Sequence, residues 1–374
     1  MSVISVVILI LYCVLIVAFI IGFDKVEHFH LKTIRPKTTF SVVIPFRDEA
    51  EQLPGLLDSL SKLNYPKGLF EIVFVDDDSE DNSVKIIEKY FDKLSIPFKV
   101  VKNNRKTNSP KKDAVETAVN QAHFDWILTT DADCTVAENW LLAFDTFIQQ
   151  HKPALIAAPV TFKSVSSLFE KFQLIDLWSL QGATIGGFGI KRPFLCNGAN
   201  LCYKKQSFLA IHGFEGNEHI ASGDDIFLLE KMAMHYPDKV HFLKIDKAII
   251  TTHAETTLKK LISQRIRWAA KATSYKNAFS KLVSLAVFGM NLLFLLLLLG
   301  SIFRFISWQF FILFFTIKFC IDGILLYKTA LFFKQQHILK HYLWSSFVYP
   351  IFIIFIALAS FGFGYSWKGR RYQQ

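Results

Sequence analysis

The two ends of this chain limit its architecture more than anything between them. Val3 to Phe23 carries no charged residue and is long enough to cross a bilayer, for which about 20 apolar helical residues suffice. A cleaved signal peptide is the rival reading and fares worse. No basic stretch precedes the run, the apolar segment is too long, and no small-x-small cleavage site follows it. An uncleaved anchor over residues 1–24 is therefore expected. Lys25, Lys32, Arg35 and Lys37 follow at once. Basic residues favour the cytoplasmic side, so the next domain is expected in the cytoplasm, beside the inner (cell) membrane.

From about Leu282 the chain turns apolar again. Leu282–Gly300, Ile302–Tyr327 and Tyr342–Tyr365 are further candidate spans, giving a C-terminal membrane region over 280–366 with two to three crossings and a basic tail over 367–374. The middle span is the least regular, because Arg304, Lys318 and Asp322 are costly in lipid unless they reach the interface or face protein. Three full crossings would also carry Lys368-Gly-Arg-Arg371 to the outer side, against the positive-inside tendency. One segment lying in the interface, or re-entering, removes the conflict. The formal net charge of +10 suits a face turned to anionic lipid, and no nucleic-acid partner is expected. Five cysteines without paired zinc spacing or a disulfide-like framework suit reduced thiols in a cytoplasmic domain.

Between these ends, from Phe40 to about Val160, short apolar runs alternate with helical periodicity, the pattern of βαβ units. Phe40-Ser-Val-Val-Ile44 reads as a buried strand stopped by Pro45, and Leu53, Leu56, Leu57 and Leu60 recur at helical spacing. Glu71–Val75, Phe98–Val101 and Trp126–Thr130 read as further strands. Ser83 is placed to cap a helix reaching Tyr90, and Asp113–Ala122 reads as a helix with Ala114, Val115, Ala118 and Val119 on one side. Beyond Val160 a helix over Ser164–Gln181 leads into a glycine-rich turn at Gly182–Gly189, and Asn200–Tyr203 is a short strand. Gly223-Asp224-Asp225 opens a helix through Met234, before strand-like runs at Val240–Ile245 and Ala248–Thr252. Thr257 to Lys276 mixes Leu258, Leu261, Ile262 and Trp268 with several Lys and Arg, as suits a helix on a membrane surface.

Acidic residues gather where these elements end or begin. Asp76-Asp77-Asp78 follows the second strand, Asp131-Ala-Asp133 the fourth, and Asp224-Asp225 starts a helix. The carboxyl ends of buried parallel strands open into the crevice where ligands bind. A pair such as Asp131 and Asp133 can share a divalent cation there, and the cation can hold a diphosphate. Alone, an Asp-x-Asp arises about once by chance in a chain this long, and acids at a helix start also serve the dipole. Position and company carry the weight. A fourth element, Gln264-Arg-Ile-Arg267-Trp268, sets three residue types at fixed spacing, which chance supplies in roughly one chain in a hundred. A basic amphipathic helix on lipid is the other reading of that stretch.

In order and spacing these elements resemble the membrane-bound family 2 glycosyltransferases, whose pattern is D, D-x-D, D, Q-x-x-R-W. That family includes cellulose, hyaluronan and poly-N-acetylglucosamine synthases and the ceramide glucosyltransferases. Ser41–Glu49, Val75–Asp81 and Asn197–Tyr203 support the resemblance, which covers about residues 40 to 275. It implies a GT-A-like (Rossmann-like) α/β domain, over residues 38–278, flanked by transmembrane helices. It implies that Asp77, with Asp76 beside it, hydrogen-bonds the nucleotide base, and that Asp131 and Asp133 bind the nucleotide sugar. Asp133 would be the more direct metal ligand, with Mg²⁺ or Mn²⁺ offsetting charge on the departing diphosphate. Asp225 matches the general base that takes a proton from the acceptor hydroxyl; its neighbour Asp224 stands where the family often has glutamate, which leaves the choice between the two acids open. Gln264 and Arg267 match nucleotide-sugar contacts, Arg267 through charge-assisted hydrogen bonds to the diphosphate, and Trp268 a flat acceptor contact. Lys111 stands where the family often has Gly-Lys-x-x-Ala, with Pro110 in place of the glycine. A diphosphate contact and a solvated basic loop are both open for it. His253 is not counted in the site.

The resemblance thus implies an integral membrane enzyme using a nucleotide sugar, UDP-linked, and a lipid or polysaccharide acceptor. It would work by single inverting displacement, in cell-envelope glycan or glycolipid synthesis. The few spans after the domain leave single transfer to a lipid beside processive synthesis. A catalytically silent nucleotide-sugar-binding membrane scaffold or sensor is the rival from another class, but it has no need of Asp225. A basic nucleic-acid binder would show steeply salt-dependent binding and has no motif behind it.

Overall fold

The structure is a computed structural model that describes residues 3–218, 220, 222–271 and 277–362, with the backbone of 365–367 and 370–372. The last part of the amphipathic stretch (272–276), Lys368 and the side chains of the basic tail lie outside the described residues. The helices are α1 (Val3–Lys25), α2 (Leu53–Ser61), α3 (Ser83–Phe91), α4 (Pro110–Gln121), α5 (Trp140–His151), α6 (Leu168–Gly189), α7 (Lys205–Ala210), α8 (Asp224–His235), α9 (Leu258–Ala270), α10 (Ala278–Ile302), α11 (Trp308–Phe332) and α12 (Tyr342–Gly362). The strands are β1 (Phe40–Phe46), β2 (Phe70–Asp76), β3 (Phe98–Lys102), β4 (Trp126–Thr129), β5 (Leu155–Ala157), β6 (Val160–Phe162), β7 (Leu201–Lys204), β8 (Val240–Phe242), β9 (Ile250–Thr252), β10 (Tyr365–Trp367) and β11 (Arg370–Tyr372). They form two compact units, a sheet unit of Glu27–Lys163 with Leu195–His253 and a helical unit of Met1–Val26, Ser164–Phe194 and Ala254–Gln374. The linear division into anchor, one domain over 38–278 and membrane region differs from this grouping, in which α6 and α9 belong with the apolar helices.

The sheet unit holds a seven-stranded mixed sheet in the order β3-β2-β1-β4-β7-β5-β8. The first four strands run parallel, and β7 lies antiparallel to both β4 and β5. Phe40, Val42 and Ile44 of β1 pack into one core with Leu53, Leu56, Leu57 and Leu60 of α2, while Val43, facing the other way, is equally buried. Burial on both faces is what the near-continuous apolar run requires of a central parallel strand. Pro45 does not end that strand. The Val43 carbonyl accepts from Thr130 N at 3.1 Å and the Phe46 carbonyl from Asp77 N at 2.9 Å, so alternate residues face β4 and β2. Pro45 faces the β4 side, where the ladder has finished at Thr129, and its missing N–H forfeits no bond. Nor does Ser83 cap its helix. Asn82 precedes the first turn of α3, and Ser83 Oγ instead accepts from Glu49 N at 2.9 Å, tying the loop after β1 to the loop after β2.

In the helical unit, α1, α10, α11 and the stretch Gln336–Gly362 are long and apolar enough to cross a membrane. The span expected to reach Tyr365 is described as helix to Gly362, with Tyr365 in β10, and α10 and α11 meet at a bend that holds Arg304 outside both helices. Lys318 and Asp322 face protein: they pair at 2.6 Å, and Tyr12 of α1 donates to Asp322 at 2.7 Å. The glycine-rich stretch is not a turn. α6 starts on a capping box, in which Ser167 Oγ accepts from Glu170 N at 3.1 Å and Glu170 accepts from Ser167 N at 3.0 Å, and it continues as helix through Gly189. Its glycines serve close approach. A Cβ on Gly186 would meet the Phe19 backbone, and one on Gly189 would overlap the Gly22 carbonyl, so α1 and α6 touch backbone to backbone.

Candidate active site

The acids of the sheet unit come together because parallel strands deliver their carboxyl ends to one edge. Asp76 ends β2 and accepts from Ser79 N at 3.0 Å, which turns the chain back. Asp78 sits at φ 69° and Asp48 at φ 50°, conformations that short polar residues tolerate best. Asp48 Oδ1 then accepts from Glu80 N at 2.8 Å and Ser79 Oγ from Asp48 N at 3.1 Å, lacing the two strand-end loops together.

Asp77 is buried, and its Oδ1 accepts from Arg105 Nε at 2.6 Å and Asn103 Nδ2 at 2.7 Å. Its carbonyl accepts from Arg47 at 2.8 Å and Arg105 at 2.9 Å. The loop carrying Arg105 is fastened in turn by buried Asp113, which accepts from Lys106 N at 3.1 Å, Thr107 N at 2.9 Å and Thr107 Oγ1 at 3.0 Å. Asn103, Arg105 and Arg47 are absent from the sequence-based site. A signal existed in the basic run after the third strand, because β3 adjoins β2 with Lys102 in register with Asp76.

A second group forms where β4 meets the start of α8. Thr129 Oγ1 donates to the Gly198 carbonyl at 2.6 Å, and Gly198 N donates to Asp225 Oδ2 at 3.3 Å. A Cβ on Gly198 would lie 3.0 Å from Asp224 Oδ2, so the bare backbone is what lets this turn enter among the acids. Fully buried Asn200 anchors the turn, accepting from Trp140 Nε1 at 3.0 Å and donating to the carbonyls of Pro159 at 2.8 Å and Ala248 at 2.7 Å. Gly223, at φ 86°, reverses the chain so that Asp224 and Asp225 open α8.

Lys111 is no solvated loop residue. It lies in the first turn of α4, with its ammonium 2.7 Å from Asp131 Oδ1 and 3.5 Å from Asp224 Oδ2. Burial alone would lower its pKa, but Asp131, Asp224 and Asp225 outweigh that and hold it well above the usual lysine range. Burial, with Asp133 and Asp131 adding to it, pushes the Cys134 thiol far up, which rules out a thiolate nucleophile there at neutral pH. Asp133 itself is exposed. Magnesium and manganese take hard carboxylate oxygens, one or two from protein, and leave other positions to phosphate and water. Asp131 and Asp133 fit that donor set, and among the described residues no group of three His, Cys, Asp or Glu forms a preformed cage.

The structure therefore gathers Lys111, Asp131, Asp224 and Asp225, with Asp133 two residues on and Asp76 and Asp77 at a strand end of the same sheet. Gln264, Arg267 and Trp268 belong to α9 of the helical unit. Gln264 Nε2 donates to Glu255 at 2.9 Å. The neighbouring Arg265, buried, pairs with Asp176 of α6 at 2.6 Å and stacks 4.1 Å from the Trp268 ring centroid. One face of Trp268 is thus occupied by protein.

Residues 41–203 match the family model described as Glycosyl transferase family 2, and residues 126–365, more than half of the chain, match Glycosyl transferase family group 2. A 112-residue stretch is 34% identical to the poly(ribitol-phosphate) beta-N-acetylglucosaminyltransferase TarS of Staphylococcus aureus, covering 30% of this chain and 19% of that protein. Over 260 residues the chain is 27% identical to the beta-monoglucosyldiacylglycerol synthase of Nostoc sp., covering 66% and 52% respectively. The chain thus spans about half or less of the length of these curated relatives. The solved mannosyltransferase PcManGT from Pyrobaculum calidifontis, in complex with GDP-Man and Mn²⁺, aligns over 96% of this chain and 99% of its own, with TM-score 0.58 at 14% identity. That likeness is one of fold, and the sheet unit is GT-A-like.

Proposed function

The chain belongs to glycosyltransferase family 2, and from that premise we propose that it moves a sugar from a nucleotide sugar, UDP-linked, to a hydroxyl of a lipid or polysaccharide acceptor. The cluster of Asp131, Asp224 and Asp225 around Lys111 supports this best, because it joins a place for a diphosphate to a place for a base. Asp77, held by Arg105 and Asn103, takes the nucleotide base at the end of β2. Lys111 meets the diphosphate as a positive charge on a flexible stem. Asp131 and Asp133 are the residues that would hold Mg²⁺ or Mn²⁺, which when bound supplies Lewis-acid stabilisation of charge on the departing diphosphate.

Asp225 acts as general base. Gly198 N and Ile226 N, at 3.3 and 2.8 Å, fix its two oxygens, so the carboxylate faces the acceptor without rotating. It takes the hydroxyl proton as that oxygen bonds to the anomeric carbon and the bond from that carbon to the diphosphate oxygen breaks. The result is inversion in one displacement. Asp224 positions Lys111. For Gln264, Arg267 and Trp268, on α9 of the helical unit, the family pattern supports the reading that they contact donor and acceptor. The four apolar helices hold the enzyme in the cell membrane, with the sheet unit on the cytoplasmic side where basic residues follow α1.

The test is release of UDP from the purified full chain with Mn²⁺ or Mg²⁺, a panel of UDP-sugars and membrane lipid extract. Turnover of one sugar by wild type, lost in both Asp225→Asn and Asp133→Ala, upholds the reading, and product size then separates single transfer from polymerisation. A protein that binds no nucleotide sugar sinks it.

A further inference from the structure

Lys111 brings a cation into a site expected to take another. Its ammonium lies 2.7 Å from Asp131 Oδ1 and 3.5 Å from Asp224 Oδ2. Asp225 joins the same cluster through Gly198, whose N–H it accepts at 3.3 Å. Without a positive charge among them, carboxylates so placed repel one another.

The lysine is held by its helix. Next along α4, Lys112 is buried and donates to the carbonyls of Asn217 at 2.7 Å and Ile220 at 2.8 Å, with its ammonium 4.9 Å from the Phe227 ring centroid. This clamps the first turn of α4 against the segment that leads into Asp224 and Asp225. A shift of the Lys111 ammonium then needs rotation only about its flexible four-carbon stem.

Asp131 is thus claimed twice. A divalent cation of the Mg²⁺ type sits about 2.0–2.1 Å from a carboxylate oxygen. An ammonium already on Asp131 then repels it at close range. A diphosphate is a better partner for that ammonium, since it carries more charge than one carboxylate and offers several oxygens.

We propose that Lys111 is an internal counter-ion, occupying Asp131 in the donor-free enzyme and moving to the diphosphate when the donor binds, so that the nucleotide frees the cation position. This rests on the nucleotide-sugar reading above. It makes cation and nucleotide binding mutually reinforcing, with one lysine carrying much of the coupling, and such coupling is reciprocal.

The experiment measures Mn²⁺ binding to the full chain in detergent, from the spectrum of free Mn²⁺ by electron paramagnetic resonance, with and without UDP. Wild type is run beside Lys111→Met, Lys111→Gln and Lys111→Arg, each checked by thermal unfolding. Without UDP, Lys111→Met and Lys111→Gln are expected to bind Mn²⁺ at least about fivefold more tightly than wild type, the low end of common coupling factors. UDP is expected to tighten Mn²⁺ binding strongly in wild type and much less in these two variants. Lys111→Arg keeps the charge and should stay near wild type. If folded Met and Gln variants bind Mn²⁺ no better than wild type while UDP still binds, this inference falls and the functional reading stands. If neither Mn²⁺ nor UDP binds any of the proteins, both fall.

Discussion

In the helical unit two acids each lie against one cation. Asp176 pairs with Arg265 and Asp322 with Lys318, each at 2.6 Å. In the sheet unit Asp131 and Asp224 share the ammonium of Lys111, with Asp225 close by. The first arrangement is closed: charge is balanced within the protein, and the pair fastens one helix to another or stiffens one. The second is bridged: one ammonium lies between an acid that follows β4 and an acid that opens α8. Short distances are common to both, so a close pair alone does not mark a functional carboxylate. One cation shared by acids from two separate elements does.

That contrast is open to attack at four points. The largest effect belongs to Asp225→Asn, which removes the base yet keeps the shape: kcat should fall about 10²–10⁴-fold while the thermal unfolding midpoint barely moves. Asp176→Ala should do the reverse, because it strands a buried guanidinium. Breaking such a pair costs about 3–5 kcal/mol, and the loss should appear as early unfolding in detergent. Gly186→Ala inserts a methyl against the Phe19 backbone, and overpacking of this kind costs about 1–3 kcal/mol, again read in the unfolding midpoint.

The smallest effect sharpens the comparison, since it concerns an acid of the sheet unit that behaves like those of the helical one. Glu71 is buried, which by itself would raise its pKa. His123 N, Ser41 and Lys99 donate to it and bring the value below the usual glutamate range. A depressed carboxylate contributes stability above its unfolded pKa, about 4.3, and loses it as pH falls through the lower folded value. Glu71→Gln should therefore cost about 1 kcal/mol at neutral pH. The gap between the two unfolding midpoints should close on acidification below about pH 4.3.

Asp76 to Asp78, Asp131 and Asp133 were legible in the sequence because they follow apolar runs of strand length, and a strand end is a place in space as well as in the text; Asp224 and Asp225 were legible as the start of a helix. What escaped depends on partners far along the chain. Pro45 looked like a stop because the early end of β4 is not written beside it. Gly182 to Gly189 looked like a turn because glycine serves equally for a reversal and for a tight helix contact, and the contacting residues are Phe19 and Gly22. Lys111 was ambiguous for the same reason, its nearest acid being 20 positions away. Arg265 occupies a position that the Q-x-x-R-W pattern leaves unspecified, yet it makes the buried pair. Arg105 carries no motif at all, and only the adjacency of β3 and β2 brings it to Asp77.

The meeting of α1 with α6 bears on how freely parts of this protein can be exchanged. Judged by composition, α1 is a generic anchor, exchangeable for any uncharged stretch of similar length. Gly22, however, lies where Gly186 and Gly189 leave space for no side chain, and the Phe19 ring stacks on Phe194 at 5.4 Å. A transplanted span chosen for hydropathy would still insert into a bilayer but would not seat. Such a chimera is expected to separate two properties that usually travel together, reaching the membrane while failing to assemble its helical unit, and α1 is then a component of the enzyme and not its mooring.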